Sequence, residues 1–382
     1  MKKVIVVLLI LTMVISSSSA VFAGESVNSQ QLIAEKQADN IEAVTGIDDV
    51  TACVGRTRTD FVVNGVNLEV EIPKAGDDEI GFESTTGEPF TMGLPNEVED
   101  ARGVLTEHGT VIYDGDEDVS VAVQSTCQFQ DGLIIEGVRS MILIHDASAP
   151  SEYAFDYDLP RGYQLVSSED YYETEEVEAG WIYIVDKNNL FVDNNTEEEF
   201  MEIVAAIEPA WAKDADGNNI PTYYRIEGDS LIQVVNFDEE SSFPITADPT
   251  TTTKPKNTLL ASGTDVVKIN NSDVSAIVTL AGFGTQVAKA GFKKAFQKYA
   301  LQELKEALEK QLVKKGIKYV SGLISVATAA IDIYCAYQWL VKGYTYTHIK
   351  YKYEEWKIYK HQGGRWVAGY SHKFIPIEVW GS

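Results

Sequence analysis

Asn64-Gly65 stands between the apolar triplet Phe61, Val62, Val63 and a run in which Val66, Leu68, Val70 and Ile72 alternate with polar residues. Both residues of that pair tolerate the positive φ of a tight hairpin turn. A one-in-two apolar pattern buries one face of a strand and wets the other. The signal returns at Asp131-Gly132, between 119–130 and 133–144, and at Gly228-Asp229, between 223–227 and 230–237. Residues 181–185 add a further strand. Residues 196–207 fit either a helix capped by Thr196 or a strand leading into Pro209, and the strand is preferred. Short strands joined by turn residues predict an acidic antiparallel β-sandwich part over 48–249, in one or two units. Ahead of it, 24–47 is a lead-in segment in which 28–44 reads as a short amphipathic helix.

Charge divides the chain. Of its 31 basic and 58 acidic residues, 19 and 9 lie in 251–382, which leaves 12 and 49 for 1–250. Opposite signs on the two parts predict an intramolecular acidic–basic contact, or a different partner for each. DNA is not expected as a partner, because phosphates are repelled by the acidic part. Lys2 and Lys3, the apolar run 4–15 and the small-residue exit at Ala23 have the three parts of a secretory signal peptide, residues 1–23, so a secreted, extracellular or loosely surface-associated protein is expected. Cys53 and Cys127 can form a disulfide outside the cell, with two buried thiols as the alternative. Cys335 has no evident partner.

Three runs resemble a known module: residues 209–224, beginning Pro209, Ala210, Trp211; residues 231–235; and Phe243-Pro244-Ile245 followed by Asp248-Pro249. Together, over about 153–250, they look like a β-rich module of many bacterial secreted and surface proteins, which closes on a strand of the form aromatic-Pro-Ile/Val-x-x-Asp-Pro. The resemblance implies architecture and carries over no catalytic residue.

The Thr- and Pro-containing stretch 250–257, where the charge changes sign, reads as a linker. Residues 258–343 then read as a basic and apolar helical region. Leu301, Leu304, Leu308 and Leu312 share one helical face, opposite Glu303, Glu306 and Glu309. Lys289, Lys293, Lys294, Lys298, Lys314, Lys315 and Lys318 supply a cationic surface suited to anionic lipid, against the alternative of a solvated face. The apolar run 319–341 is long enough to cross a bilayer, but Asp332 would cost about 3 kcal/mol at its centre, so a buried bundle helix competes with conditional insertion. Residues 344–382 read as an aromatic, basic β-hairpin turning at Gly363-Gly364. The fold class expected is α+β multidomain.

Asp114, Asp116, Asp118 and Asp214, Asp216, Asn218 place oxygens at alternate positions but lack the rest of a calcium loop, so they read as solvated hairpin tips. The five histidines show no metal spacing, and no cofactor is expected. Glu354, Glu355, His361, Arg365 and His372 fall together in the basic hairpin and have the residue types of an acid–base nuclease site. The leading expectation is a non-enzymatic, bacteriocin- or toxin-like protein whose cationic C-terminal part engages an anionic membrane or cell-envelope surface. An extracellular structural or binding module and a secreted nuclease-type tail are the alternatives.

Overall fold

The computed structural model describes residues 29–53, 55–115, 118–172, 179–192, 199–272, 324–326 and 342–382. It divides into two compact units, one of residues 1–185 with 203–255 and the other of 186–202 with 256–382.

The first unit is built from two sheets. In spatial order the first holds Gly55–Arg56, Asp60–Asn64, Leu68–Pro73, Ile80–Ser84, Phe90–Met92, Glu152–Asp158, Ser230–Val235 and Thr222–Glu227. The second runs Tyr163–Ser167, Ile182–Val192, Glu199–Ile207, Thr250–Thr253, Leu133–Ile144, Val119–Gln130, Val111–Asp114 and Val104–Leu105. Ile245–Ala247, itself paired with Ala212–Lys213, continues alongside Leu133–Ile144. Inward residues of both sheets form one core: Val70, Phe82, Met92 and Tyr153 from the first meet Val121, Val138, Ile142 and Ile184 from the second. This is the β-sandwich arrangement, in which alternate side chains of two sheets interdigitate.

The outer face of the second sheet is covered as well. Residues 29–45 are helical. Ala34, Ala38 and Ile41, spaced three and four apart on one helical face, pack on Ile112, Ala122, Met141 and Leu143. Polar contacts fix the helix at its flanks: Gln31 Nε2 donates to the Leu105 carbonyl (3.1 Å), Thr110 Oγ1 donates to Glu42 (3.0 Å), and His108 Nδ1 lies 2.7 Å from Glu42. The Glu42 carboxylate, bonded to the imidazole, raises the His108 pKa.

Two of the hairpin signals give the turns expected of them. Asp131 (φ 51°) and Gly132 (φ 82°) link the paired residues Gln130 and Leu133, while Gly228 and Asp229 link Glu227 and Ser230. At Asn64-Gly65 the turn is wider. Asn64 still pairs with Glu69, and Val66, read as an inward strand residue, is instead 65% exposed at the tip. The Glu136 carboxylate, reaching from Leu133–Ile144, accepts from the backbone N–H groups of Val66 (2.6 Å) and Asn67 (2.7 Å). That anchor holds the tip open. A Cβ at position 65 would collide with Glu136 Oε1 and the Leu68 carbonyl, which is why glycine is needed there.

Three sequence expectations are corrected. The stretch 250–257 is not a linker, because Thr250–Thr253 is a strand between Leu133–Ile144 and Glu199–Ile207. Thr250, Thr251 and Thr253 are at most 3% exposed. β-Branched threonines suit a pleated surface, and their hydroxyls find partners in it: Thr252 Oγ1 donates to the Ala206 carbonyl and Thr253 Oγ1 to the Glu136 carbonyl. The region 258–343 does not begin as helix, since Thr258–Asn270 is a 13-residue strand. Within the run 319–341, read as one helix, Ile324–Val326 is a short strand parallel to Arg365–Gly381. Residues 301–312 and the seven lysines from Lys289 to Lys318 lie outside the described residues.

The second unit centres on three long strands. Thr258–Asn270 pairs with Tyr346–Gln362, which pairs with Arg365–Gly381 across the turn at Gly363 (φ 60°) and Gly364 (φ 70°). With 17 residues each, the two hairpin strands run about 55 Å at the usual strand rise.

Candidate binding face

Strand periodicity divides the C-terminal sheet into two faces. Counting along Tyr346–Gln362, Thr347, Ile349, Tyr351, Tyr353, Glu355, Tyr359 and His361 are buried, and Val267 and Ile269 join them from the neighbouring strand. Over 346–352 the even positions look the other way and are partly exposed, so cations and aromatics at every second residue meet across strands on a wet side. Further along, Glu354 and Ile358 are buried as well.

Three cross-strand rows make up that side. Lys268, His348 and Trp380 form the first, Val266, Lys350 and Glu378 the second, and Thr264, Lys352 and Ile375 the third. The His348 and Trp380 rings stack with centroids 5.1 Å apart and planes within 4°. Lys268 Nζ sits 3.7 Å from the centroid of the Tyr346 ring, a cation held on an aromatic face. Lys352 Nζ pairs with Glu354 (2.5 Å), whose other oxygen accepts from Trp356 Nε1 (2.9 Å). Val266, Ile375 and Ile377 are exposed beside these groups. The face is therefore a ladder of ammonium groups, flat aromatic rings and small apolar patches. Such a ladder can engage phosphates and the apolar ground around them.

The five residues grouped as an acid–base site do not form one constellation. His361 and Arg365 lie at the turn, where His361 is 2% exposed and meets the Trp366 ring edge-on. Burial lowers its pKa to about 4, so the imidazole is neutral at physiological pH. Glu355 pairs with His372 six residues further along, about 20 Å away at strand rise. Glu355 is buried, and burial raises its pKa. Counting alternate positions places both His361 and Glu355 on the covered face. Lys360, pointing the other way, lies 4.3 Å from the Phe200 ring centroid, and burial lowers its pKa to about 8.

Other sequence candidates also find their places. Cys53 and Cys127 are both free thiols, which corrects the expected disulfide. Cys53 Sγ lies 2.9 Å from the Gly55 carbonyl and 3.4 Å from that of Val62, against the core edge. Cys127 is exposed, opposite Glu136 on a strand. At 214–218 the Asp214 carboxylate accepts from the backbone of Asp216 and Asn218 and from Asn218 Nδ2, so its lone pairs close the turn. Among the described residues no cluster of His, Cys, Asp and Glu could hold a metal ion, and no helix is long and apolar enough to cross a membrane.

One cluster was not anticipated. Ser120 Oγ lies 2.8 Å from His145 Nε2 and donates to Asp114 Oδ1 (3.0 Å). The residue types are those of a nucleophilic triad, but the carboxylate bonds the serine, not the far side of the imidazole, and Ser120 is 1% exposed. Gln37 of the helix donates to both Asp114 (2.7 Å) and Ser120 (3.0 Å), so the cluster fastens the helix to the sheet.

No family model matches the chain, and no curated protein matches it in sequence. The resemblance of 153–250 to a secreted β-rich module remains a likeness of motif. Two of its runs do meet in space: Trp211 N–H donates to Asp248 Oδ1 (2.9 Å), joining the Pro-Ala-Trp stretch to the Asp-Pro that ends the closing strand.

Proposed function

We propose that this is an exported, non-enzymatic binding protein whose cationic, aromatic C-terminal sheet engages a phosphate-rich anionic surface of a membrane or cell envelope. The observation that supports this reading is the wet face of the four-stranded C-terminal sheet, where Lys268, Lys350 and Lys352 alternate across strands with His348 and Trp380. Ammonium groups on such a face gain from the negative potential of anionic headgroups, about 1 kcal/mol for each one near the surface. Rings with an apolar body and a polar tip suit the boundary between water and hydrocarbon. The basic excess of 251–382 and the signal-like residues 1–23 point the same way.

The test uses the mature full chain, with vesicles of neutral lipid, vesicles containing anionic lipid and a soluble phosphodiester polymer, each at low and high salt. Binding to an anionic arm that weakens with salt, and that falls when Lys350 and Lys352 are changed to Gln, is expected. Equal binding to neutral and anionic vesicles, or salt-independent binding, overturns the reading. Retention by the polymer alone assigns the envelope rather than lipid.

A further inference from the structure

The second sheet of the sandwich contains a gap. Along Leu133–Ile144 its neighbour is first Thr250–Thr253 and then Ile245–Ala247, and the two pieces take different outer partners, Glu199–Ile207 and Ala212–Lys213. Residues 208–211 cross between those partners. Pro209 supplies no N–H to a ladder there. The result is an open cleft of about 300 Å³, walled by Thr45 at the end of the helix and by Arg139, Glu208, Trp211, Lys213 and Thr250.

Its walls are held from behind. Arg139 is fixed by Asp49 (2.7 and 3.4 Å) and by Gln124 Oε1 (3.1 Å). Trp211 is pinned at both ends of its backbone: its N–H donates to Asp248, and its carbonyl accepts from Gln233 Nε2 (3.3 Å). Glu208 N–H donates to the Thr250 carbonyl (3.0 Å), and Thr250 stands opposite Arg139 in register. The Arg139 side chain and the Trp211 backbone therefore need no ordering on binding. The charges balance, since Arg139 is matched by Asp49, and Lys213 and Glu208 carry opposite signs. Burial raises the Glu208 pKa, with the nearby Arg139 opposing.

We propose that this cleft is a saccharide site that takes one neutral pyranose ring of a glycan. A hydroxyl both donates and accepts, and the cleft offers guanidinium and ammonium donors, a hydroxyl and a carboxylate acceptor, with no net charge to select an ion. The electron-rich indole face of Trp211 suits the C–H face of a sugar ring. The volume is at the small end of ligand pockets, the scale of a single ring and not of an extended chain. The site is independent of the cationic face, and either can fail alone.

The test is ligand-observed saturation-transfer NMR on the mature full chain, with maltotriose, cellotriose and triacetylchitotriose as probes. Saturable binding of at least one, with Kd of about 1 mM, is the expected scale for a ring-sized contact. Trp211→Ala should weaken it by up to about tenfold, the upper end of what a stacked aromatic contact supplies. Lys213→Met, at a half-buried position outside the core, should weaken it severalfold while leaving the urea midpoint unchanged, so a folding defect in the first variant does not decide the matter. Binding should not change with salt. Absence of saturable transfer from all three probes at about 20 mM, twentyfold above that Kd, overturns the proposal. So does equal binding by the wild type and both variants, or binding that salt abolishes.

Discussion

Asp248 is a carboxyl with no exposed surface, and replacing it by asparagine should change how stability depends on pH. Its pKa is pushed by burial from 3.8 up to about 8, with the bond from Trp211 N–H opposing. In the folded chain it is therefore protonated across a range where the unfolded chain has lost the proton. Where the folded state binds more protons, stability falls as pH rises. The stabilising contribution is complete below about pH 4 and is lost progressively as pH climbs through about 8. The interval is about four pH units at about 1.4 kcal/mol each, so the full swing is about 6 kcal/mol. An asparagine side chain there would keep an oxygen for Trp211 N–H and Gln233 Nε2 and would have no proton to lose. Urea unfolding of the wild type and Asp248→Asn at intervals from pH 5 to 9 gives the comparison. Titrations elsewhere cancel in the difference. The variant should gain on the wild type by about 1.4 kcal/mol per unit over pH 5–8 and then level off. A difference that stays constant over the whole range would refute the reasoning.

Other outcomes follow from the same structure. Glu136→Ala removes the acceptor of two backbone N–H groups at the 65–67 tip and should cost about 3 kcal/mol in urea unfolding, the scale of charge-assisted bonds lost from a buried carboxylate; a cost under about 0.5 kcal/mol, typical of neutral surface sites, would remove its anchoring role. Brief digestion of the native chain with a non-specific protease should leave 250–254 uncut, because that backbone lies inside a sheet, whereas a true linker is cut first. Mapped by mass spectrometry, alkylation of the native chain should label Cys127 and spare Cys53. Burial and Glu136 raise the Cys127 pKa, so its labelling should accelerate from pH 8 to 9.

How much of this was readable in the sequence depends on how many faces of a strand are covered. Leu68, Val70 and Ile72 alternate cleanly because only one face of their strand is buried, and the turns at Asp131-Gly132 and Gly363-Gly364 were legible because few residues accept a positive φ. Val119–Gln130 lies under the opposite sheet on one side and the helix on the other, and its first eight residues are all buried, which erases alternation. Thr250–Thr253 is buried at three of its four positions and likewise shows no alternation, so its repeated threonines looked like a low-complexity linker. For the wet face, Lys350 and Lys352 interleaved with Ile349, Tyr351 and Tyr353 already spelled out two sides, and the same counting would have placed His361 inward. The cleft was not legible. Arg139, Glu208, Trp211 and Thr250 belong to separate stretches and are joined only by the change of partner in the sheet.

The place of Thr250–Thr253 in the sheet has a consequence for biogenesis. It is the last strand of its unit in chain order, yet it stands in the middle, flanked by strands made long before it. While a chain emerges amino terminus first, Leu133–Ile144 and Glu199–Ile207 wait with unsatisfied hydrogen-bonding edges until residue 253 is free to insert between them. A keystone delivered last keeps the nascent unit pliable and leaves it sticky through that interval.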